Sequence, residues 1–155
     1  MAETELKNAE ELLKTQDEVM TRTKGASMRP LLRQGRDIVV IKRPQFPLKA
    51  GDVPLYRVRE KKELVLHRIL KADKDGTYII RGDNLYSKEY VKKQDVFGCL
   101  KGFNRNGKYI DCEKSRGYKA YILYVKLSFP FRFVIFGLLR TILIKIRSFL
   151  RKNNF

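Results

Sequence analysis

Histidine and cysteine are scarce in this sequence. Its 155 residues contain a single histidine, His67, and two cysteines, Cys99 and Cys112, whose spacing is not that of a metal or redox site. Because zinc centres in proteins need several such ligands, we expect neither a metal nor a cofactor. We expect the cysteines to be reduced structural thiols, although their number also permits one disulfide.

Acidic residues are missing from the C-terminal part of the chain. From residue 114 onward there are ten lysines and arginines and no aspartate or glutamate, and the whole chain has a formal net charge of +17. A field of this strength favours an anionic partner, either nucleic acid or an anionic membrane surface. The first 20 residues are instead rich in acids, so they do not resemble a secretory signal peptide.

Long apolar runs are missing as well. No uninterrupted apolar stretch reaches about 18 residues, so the sequence predicts no simple transmembrane helix. Hydrophobic residues nevertheless make up 43% of the chain, which is enough for a folded core. Over residues 1–20, apolar residues recur at helical spacing with charges between them, and this predicts an amphipathic helix.

Between residues 21 and 113 the pattern is that of short β-strands. Runs rich in β-branched and aromatic residues alternate with turn sequences, and the segment Asn-Arg-Asn-Gly at 104–107 predicts a hairpin. We therefore predict a mainly β domain, arranged as a compact sheet or barrel. The predicted strands are 36–42, 52–59, 63–70, 77–81, 95–103 and 107–112.

Residues 114–155 form a third segment, which is apolar with isolated bases. Pro130 is expected to divide it into two helices. On the second helix Arg132, Arg140, Arg147 and Arg151 fall on one side, and apolar residues cover most of the rest. Because a basic stripe on an apolar helix is typical of segments at an anionic bilayer, residues 120–152 are predicted to contact a membrane. The alternative is a helix packed on its own β-domain, which would make the chain cytoplasmic.

Ser27 lies in a turn of small residues, Gly25-Ala26-Ser27. A serine hydroxyl becomes a nucleophile when a base takes its proton, and backbone N–H groups must meet the developing oxyanion. His67 is the candidate base. A carboxylate that orients this histidine would complete a catalytic set, and two candidates follow it in the chain, Asp83 and Glu89. Each of these residues has an ordinary structural explanation by itself, and their order along one β-domain is what favours catalysis.

The sequence resembles the S24/S26 serine peptidase superfamily, which includes signal peptidases and LexA-type self-cleaving repressors. The resemblance rests on an ordered series of segments within residues 21–104, namely GASMRP, GRDIVVIKR, KAGDVPLYRV, LVLHRIL, RGDN and DVFGCLKGF. It implies a β-rich catalytic fold of the signal-peptidase and LexA type, with Ser27 as the nucleophile. The segment before Gly25 is too short for a helix-turn-helix domain, so a self-cleaving repressor is not expected.

The histidine favours one branch of this superfamily. Bacterial type I signal peptidases and LexA-like proteins have a lysine at the position of His67, whereas the resemblance to the endoplasmic-reticulum and archaeal type implies a Ser-His-Asp set. In that branch a second aspartate follows the GDN segment, and the matching residue here is Glu89. The resemblance therefore leaves two candidates for the third catalytic member, with Asp83 as the first choice and Glu89 as the alternative.

Three functions compete at this point. The leading hypothesis is a membrane-associated serine endopeptidase that cleaves a peptide or protein substrate, on a side of the membrane that the sequence does not predict. The second is a catalytically inactive member that only binds peptides. A basic nucleic-acid-binding module is least favoured, because the bases of the tail alternate with aliphatic residues rather than with exposed aromatic rings.

Overall fold

In the computed structural model, residues 2–58 and 63–152 are described, with side chains given for residues 9–58, 63–132, 134 and 135. Within these residues the chain is mainly β, as the sequence predicts, with an α-helix at each end. The elements in chain order are α1 (Ala2–Thr15), β1 (Glu18–Arg22), β2 (Asp37–Lys42), β3 (Pro54–Val58), β4 (Glu63–Leu66), β5 (Arg68–Ala72), β6 (Thr77–Arg81), β7 (Glu89–Lys92), a short 3₁₀ turn (Lys93–Asp95), β8 (Val96–Arg105), β9 (Lys108–Asp111) and α2 (Arg116–Lys152).

The strands form two antiparallel sheets. The larger sheet has six strands in the order β1-β2-β8-β3-β4, and β9 pairs with β8. The smaller sheet has the order β5-β6-β7. The predicted hairpin is present between β8 and β9, where Asn106 and Gly107 both have positive φ, as its tight turn requires.

A shared core joins the two sheets. Tyr56 on β3 and Val96 and Cys99 on β8 come from the larger sheet, and they pack in one cluster with Ile69, Tyr78, Ile80 and Val91 of the smaller sheet and with Leu48. Burying each large side chain of this kind contributes roughly 1.5–3 kcal/mol. The cluster therefore fixes the position of each sheet against the other, and with it the side chains that lie at their junction.

Two predicted segments each divide into two elements in the structure. The N-terminal helix ends at Thr15 rather than near residue 20, and β1 follows it. In β1 the side chain of Val19 is buried and that of Met20 is exposed, which is the alternation of a strand. The segment 63–70 is likewise two strands rather than one, because the chain leaves the larger sheet after Leu66 and enters the smaller sheet at Arg68. A run of alternating residues cannot show that its two halves pair with different neighbours.

The predicted break at Pro130 is wrong, because α2 runs through this residue. A proline removes one N–H hydrogen bond and crowds the turn before it, but the residues on either side keep their own helical bonds. The chain divides into two compact units, Met1–Lys119 and Ala120–Phe155, so most of α2 belongs to the second unit. The side chains of Arg140, Arg147 and Arg151 lie outside the described residues.

No helix among the described residues combines the length and the hydropathy that a membrane crossing requires. The side chains of Cys99 and Cys112 are buried and free, as expected for structural thiols. Burial raises the pKa of each thiol to about 12, so both stay protonated at neutral pH.

Candidate active site

The turn that carries Ser27 has a defined backbone. Gly25 has a φ of +87°, a conformation that side chains disfavour, and its N–H donates to the side-chain oxygen of Gln34 over 3.0 Å. The N–H of Arg29 donates to the carbonyl of Ala26 over 3.1 Å, which closes the turn around Ser27. The side chain of Ser27 is partly exposed, so a substrate can reach its hydroxyl.

A buried carboxylate supports the loop that follows this turn. Both oxygens of Asp37, at the start of β2, accept hydrogen bonds from the guanidinium of Arg36, and one of them accepts a bond from Arg105 on β8. The N–H of Arg33 also donates to Asp37, over 2.8 Å. Burial alone would raise the pKa of Asp37, but these hydrogen bonds outweigh it and lower the pKa. The cluster anchors residues 31–37 and with them the C-terminal side of the serine turn.

His67 lies at the junction of the two sheets, between the end of β4 and the start of β5. Its side chain is only 6% exposed. Nδ1 of the imidazole is 2.8 Å from the hydroxyl of Tyr56 on β3 and 3.2 Å from Oε1 of Glu89 on β7. Each sheet thus contributes one side chain that contacts the Nδ1 edge of the histidine ring.

The opposite edge of the same ring approaches Gly82, in the turn after β6. A Cβ atom placed on Gly82 would lie 2.7 Å from the carbonyl oxygen of Ser27 and 3.1 Å from Cδ2 of His67. Cδ2 is the ring carbon bonded to Nε2. Ser27 and the Nε2 side of His67 therefore both approach Gly82, in the turn after β6.

The same turn holds the backbone of Ser27 directly. The N–H of Asn84 donates to the carbonyl oxygen of Ser27 over 2.8 Å, and the side-chain amide of Asn84 donates to the carbonyl of Ala26 over 3.3 Å. The segment Arg-Gly-Asp-Asn at 81–84 thus has a structural task besides supplying a candidate acid, namely to fix the serine turn beside the histidine.

The structure places Asp83 in a different partnership from Glu89. The two carboxylate oxygens of Asp83 accept hydrogen bonds from Nε and Nη2 of Arg68, each over 2.8 Å, and both side chains are almost fully buried. Arg68 also donates to the carbonyl of Gly51 and to the hydroxyl of Tyr118. Burial by itself lowers the pKa of Arg68, but Asp83 more than reverses this and raises it, so Arg68 stays charged. Of the two acids that the sequence offers, Glu89 is the one in contact with His67.

Burial and the neighbouring charges shift the pKa of His67 in opposite directions. Burial lowers the pKa of the imidazole, because a charged ring loses its hydration there, whereas the charges of Glu89 and of Asp83 raise it. Burial prevails, and the pKa lies below its ordinary value. Burial and the neighbouring carboxylate of Glu89 also raise the pKa of Tyr56, so its hydroxyl keeps its proton.

A small cleft opens beside Ser27. It has a volume of about 50 Å³, far below the roughly 300–1,000 Å³ of pockets for drug-sized ligands. Its walls include the serine turn and the strand β4, which ends the strand order of the larger sheet. The apolar part of the wall is formed by Met28, Leu32, Leu64, Val65 and Leu66.

Comparison with known proteins assigns the chain to a family. Residues 2–100 match the model of the family described as Peptidase S24-like, which is more than half of the chain and includes every residue of the candidate site. The chain belongs to this family. The superfamily resemblance seen in the sequence is thereby confirmed.

One curated relative of this S24-like peptidase chain is the Homo sapiens protein named "Putative signal peptidase complex catalytic subunit SEC11B". The two are 27% identical over 90 residues, which are 50% of this chain and 54% of the relative. The chain therefore spans about half the length of the curated relative that it matches. Family and relative together show a peptidase-type chain, and they leave its own activity to be established.

Sequence reasoning missed Tyr56, which touches both His67 and Glu89. The alternation of Pro-Leu-Tyr-Arg-Val at 54–58 marks Tyr56 as an ordinary core residue, and it is indeed fully buried. The one available signal was chemical: a buried tyrosine hydroxyl needs a hydrogen-bond partner, so a polar group had to face it.

Proposed function

We propose that this chain is a serine endopeptidase in which Ser27 is the nucleophile, His67 the general base and Glu89 the acid that orients the histidine. The observation that carries the proposal is the two-sided placement of His67. Its Nδ1 contacts Glu89 and Tyr56, while Cδ2 at the other edge of its ring and the carbonyl oxygen of Ser27 both lie close to Gly82. A Ser-His-acid triad requires this arrangement, with the acid on the Nδ1 side of the histidine and the serine on the Nε2 side.

The reaction follows from this placement. Nε2 of His67 takes the hydroxyl proton as Oγ of Ser27 attacks the carbonyl carbon of the scissile peptide bond. The positive charge that forms on the imidazole is stabilised by Glu89. His67 then donates the proton to the leaving amine, and a water molecule, activated by the same base, hydrolyses the acyl-enzyme. The N–H of Ser27 is the backbone donor that we assign to the oxyanion, since it belongs to the rigid turn after Gly25.

The cleft beside Ser27 supports an extended substrate with a small side chain next to the cleaved bond. Its volume of about 50 Å³ favours a small side chain, and its wall includes both polar and apolar residues. The adjoining β4 ends the strand order of its sheet, so its backbone can pair with a substrate held as an extra strand. The name of the human relative, a signal peptidase subunit, is consistent with a substrate of this type.

Replacement of Ser27 by alanine tests the assignment. Ser27→Ala should abolish cleavage of the protein's peptide substrates, identified by incubating the purified full chain with a library of extended peptides and mass spectrometry of the products. The free energy of unfolding should change by less than about 1 kcal/mol, because one partly exposed hydroxyl contributes little to stability.

Ser87→Ala is the matched control, since Ser87 is an exposed serine in the loop before β7. This variant should cleave like the parent chain. Cleavage by Ser27→Ala at the parental rate would show that another group or a contaminant does the chemistry. A parent chain that binds peptides from the library without cutting any of them would favour the inactive, peptide-binding member of the family.

A second proposal concerns the membrane. In the described part of α2, Leu123, Tyr124, Leu127, Phe131, Val134 and Ile135 are each more than half exposed. At 100° per residue these six fall within about 120° of the helix circumference. Lys119 and Lys126 flank this apolar stripe on one side and Arg132 on the other, since each lies roughly 40–60° beyond its edge on the same helical wheel.

We infer that this stripe lies at the surface of an anionic membrane. Apolar side chains enter the boundary of headgroups and acyl chains, while flanking bases bind lipid phosphates, and each base contributes about 1 kcal/mol near an anionic leaflet. The absence of acids from residue 114 onward removes any charge that would oppose this contact. Nucleic acid is less well matched, because the exposed surface between the bases is mainly aliphatic.

A further inference from the structure

The hydroxyl of Tyr56 lies between the two polar groups of the candidate triad. Its oxygen is 2.6 Å from Oε2 of Glu89 and 2.8 Å from Nδ1 of His67. Tyr56 itself is anchored in the core, with 1% of its surface exposed, on a strand paired on both sides by β8 and β4. The hydroxyl is therefore held in place independently of the histidine.

The protons available in this group of three determine how the bonds are arranged. A tyrosine hydroxyl has one proton to donate, and an ionised carboxylate has none. The short bond to Glu89 takes the proton of Tyr56, and the tyrosine oxygen is then left with lone pairs alone. Two acceptors cannot share a contact of 2.8 Å without a proton between them, so Nδ1 of His67 must supply one.

We propose that Tyr56 is a positioning residue that holds His67 in the tautomer with the proton on Nδ1, leaving Nε2 unprotonated on the side of Ser27. The importance of this for catalysis rests on the proposed function, whereas the placement of the proton does not. Glu89 alone holds the ring less firmly, because its Oε1 is 3.2 Å from Nδ1, at the long end of the range for N–H···O bonds.

The remaining charged groups near His67 do not replace this arrangement. Asp83, in the turn after β6, also acts on the ring electrostatically, but its two oxygens accept the bidentate bond from Arg68. Arg68 is directed by that bond toward Asp83, Gly51 and Tyr118. Of the groups placed around His67, Tyr56 and Glu89 are those with a contact to Nδ1 in the described residues.

The sequence makes a direct test simple, because His67 is the only histidine. In full-length, untagged chain labelled with ¹⁵N-histidine, two-bond ¹H–¹⁵N correlation spectra at pH 8 report one imidazole, and its tautomer follows from the ¹⁵N shifts. We expect Nδ1 protonated and Nε2 unprotonated. The opposite tautomer would overturn the proposal, since the tyrosine would then donate to the histidine rather than accept from it.

Tyr56→Phe removes the hydroxyl and keeps the ring. We expect the share of the Nδ1-protonated form to fall, and kcat for a cleaved peptide to drop about tenfold with KM nearly unchanged. Tyr78→Phe is the matched control, because Tyr78 is an equally buried tyrosine of the same core cluster, whose hydroxyl accepts a bond from the N–H of Leu48 instead. It should leave both the His67 spectrum and kcat as they are.

An unchanged tautomer in Tyr56→Phe would overturn the proposal whatever happens to kcat, since any loss would then come from packing. Should Tyr56→Phe fail to fold, Glu89→Ala tests the same proposal, since Glu89 is partly exposed. Without the carboxylate, Tyr56 donates to Nδ1 and His67 should move to the Nε2-protonated form. A His67 spectrum that Glu89→Ala leaves unchanged would contradict the proposal. Because these spectra need no substrate, a chain that proves to cleave nothing would refute the proposed function without deciding this inference.

Discussion

Asp83 and Glu89 illustrate how one residue type takes two different tasks. The sequence offers both acids at a plausible distance after His67, and nothing in their local sequence separates them. The structure distinguishes them through their partners, a buried guanidinium for Asp83 and an imidazole with a tyrosine for Glu89. One acid holds the fold together at the junction of the sheets, and the other faces the candidate base.

These tasks predict opposite mutational profiles. Glu89→Gln should lower kcat by about a hundredfold or more and leave the free energy of unfolding nearly unchanged, because its side chain is partly exposed. Asp83→Asn should cost about 3 kcal/mol of stability, since it leaves Arg68 buried without its counter-charge. The folded fraction of Asp83→Asn should keep activity within about tenfold.

Urea unfolding and peptide cleavage on the same two preparations measure both quantities. The reverse profile, a stable but inactive Asp83→Asn beside an active Glu89→Gln, would assign the third catalytic position to Asp83.

The histidine also predicts the pH dependence of cleavage. Its neutral form is the base, and burial lowers its pKa below the ordinary value of 6.5. As pH falls, kcat/KM should therefore decline with a midpoint below 6.5. Because Glu89 raises the pKa of His67, Glu89→Gln should move this decline to still lower pH in the activity that remains. A midpoint above 6.5 in the parent chain would contradict the burial argument.

At the scale of elements, the site depends on two turns more than on any strand. The turn at 81–84 packs Gly82 between Ser27 and His67, and Asn84 binds the serine turn from outside. A Cβ atom on Gly82 would meet the backbone oxygen of Ser27 at 2.7 Å, which a rigid backbone cannot relieve by a side-chain movement. The approach of the Ser27 turn and of His67 to this turn thus depends on the absence of a side chain at Gly82.

Gly82→Ala should therefore displace Ser27 from His67 and lower kcat by at least about tenfold, with a stability loss of roughly 1–3 kcal/mol from overpacking. Gly117→Ala is the control, because its added methyl group would meet nothing closer than 3.7 Å at the start of α2. Steady-state kinetics and thermal unfolding of both variants check the prediction. Normal kcat in Gly82→Ala would mean that the two turns are not in rigid contact.

The strength of the local signal decides which elements the sequence can predict. β2 and β8 are long runs of β-branched and aromatic residues, and the prediction places both within two residues of their observed ends. β7, which carries Glu89, has four residues between lysines and polar turns, and its strand conformation comes from pairing with β6 rather than from its composition. The sequence did not predict β1 either, because its apolar residues also fit the helical spacing of the segment before it.

The whole molecule combines a peptidase-type unit with a helix of a different surface chemistry. Residues up to Lys119 hold the candidate site, and the unit from Ala120 onward carries the exposed apolar stripe with the flanking bases Lys126 and Arg132. Tyr118 belongs to the first unit and is buried against Arg68, with its hydroxyl accepting a hydrogen bond from that side chain. The N-terminal end of α2 is therefore part of the first unit, and a truncation that keeps the site intact must end after Lys119.

Membrane contact is best tested in the full chain by point substitutions. Leu127→Gln with Phe131→Gln should weaken co-sedimentation with anionic vesicles at least tenfold, because two of the most exposed apolar side chains of the stripe are lost. Binding by the parent chain should also decline as salt screens the bases. The control pair is Met20→Gln with Tyr90→Gln, at similarly exposed positions on β1 and β7. Equal sedimentation of both pairs, or of neutral and anionic vesicles, would contradict a membrane site on α2.

The position of His67 between the two sheets has a consequence for the chain during its synthesis. During synthesis Ser27 is made first, His67 later and Glu89 later still, and β8, which pairs with β2 and β3 in the larger sheet, follows all three. Until residues 67 and 89 have been made, the chain carries Ser27 without the base and the acid of the proposed triad. The proposed triad is therefore assembled only after β7 and β8 have joined their sheets, late in the synthesis of the unit Met1–Lys119.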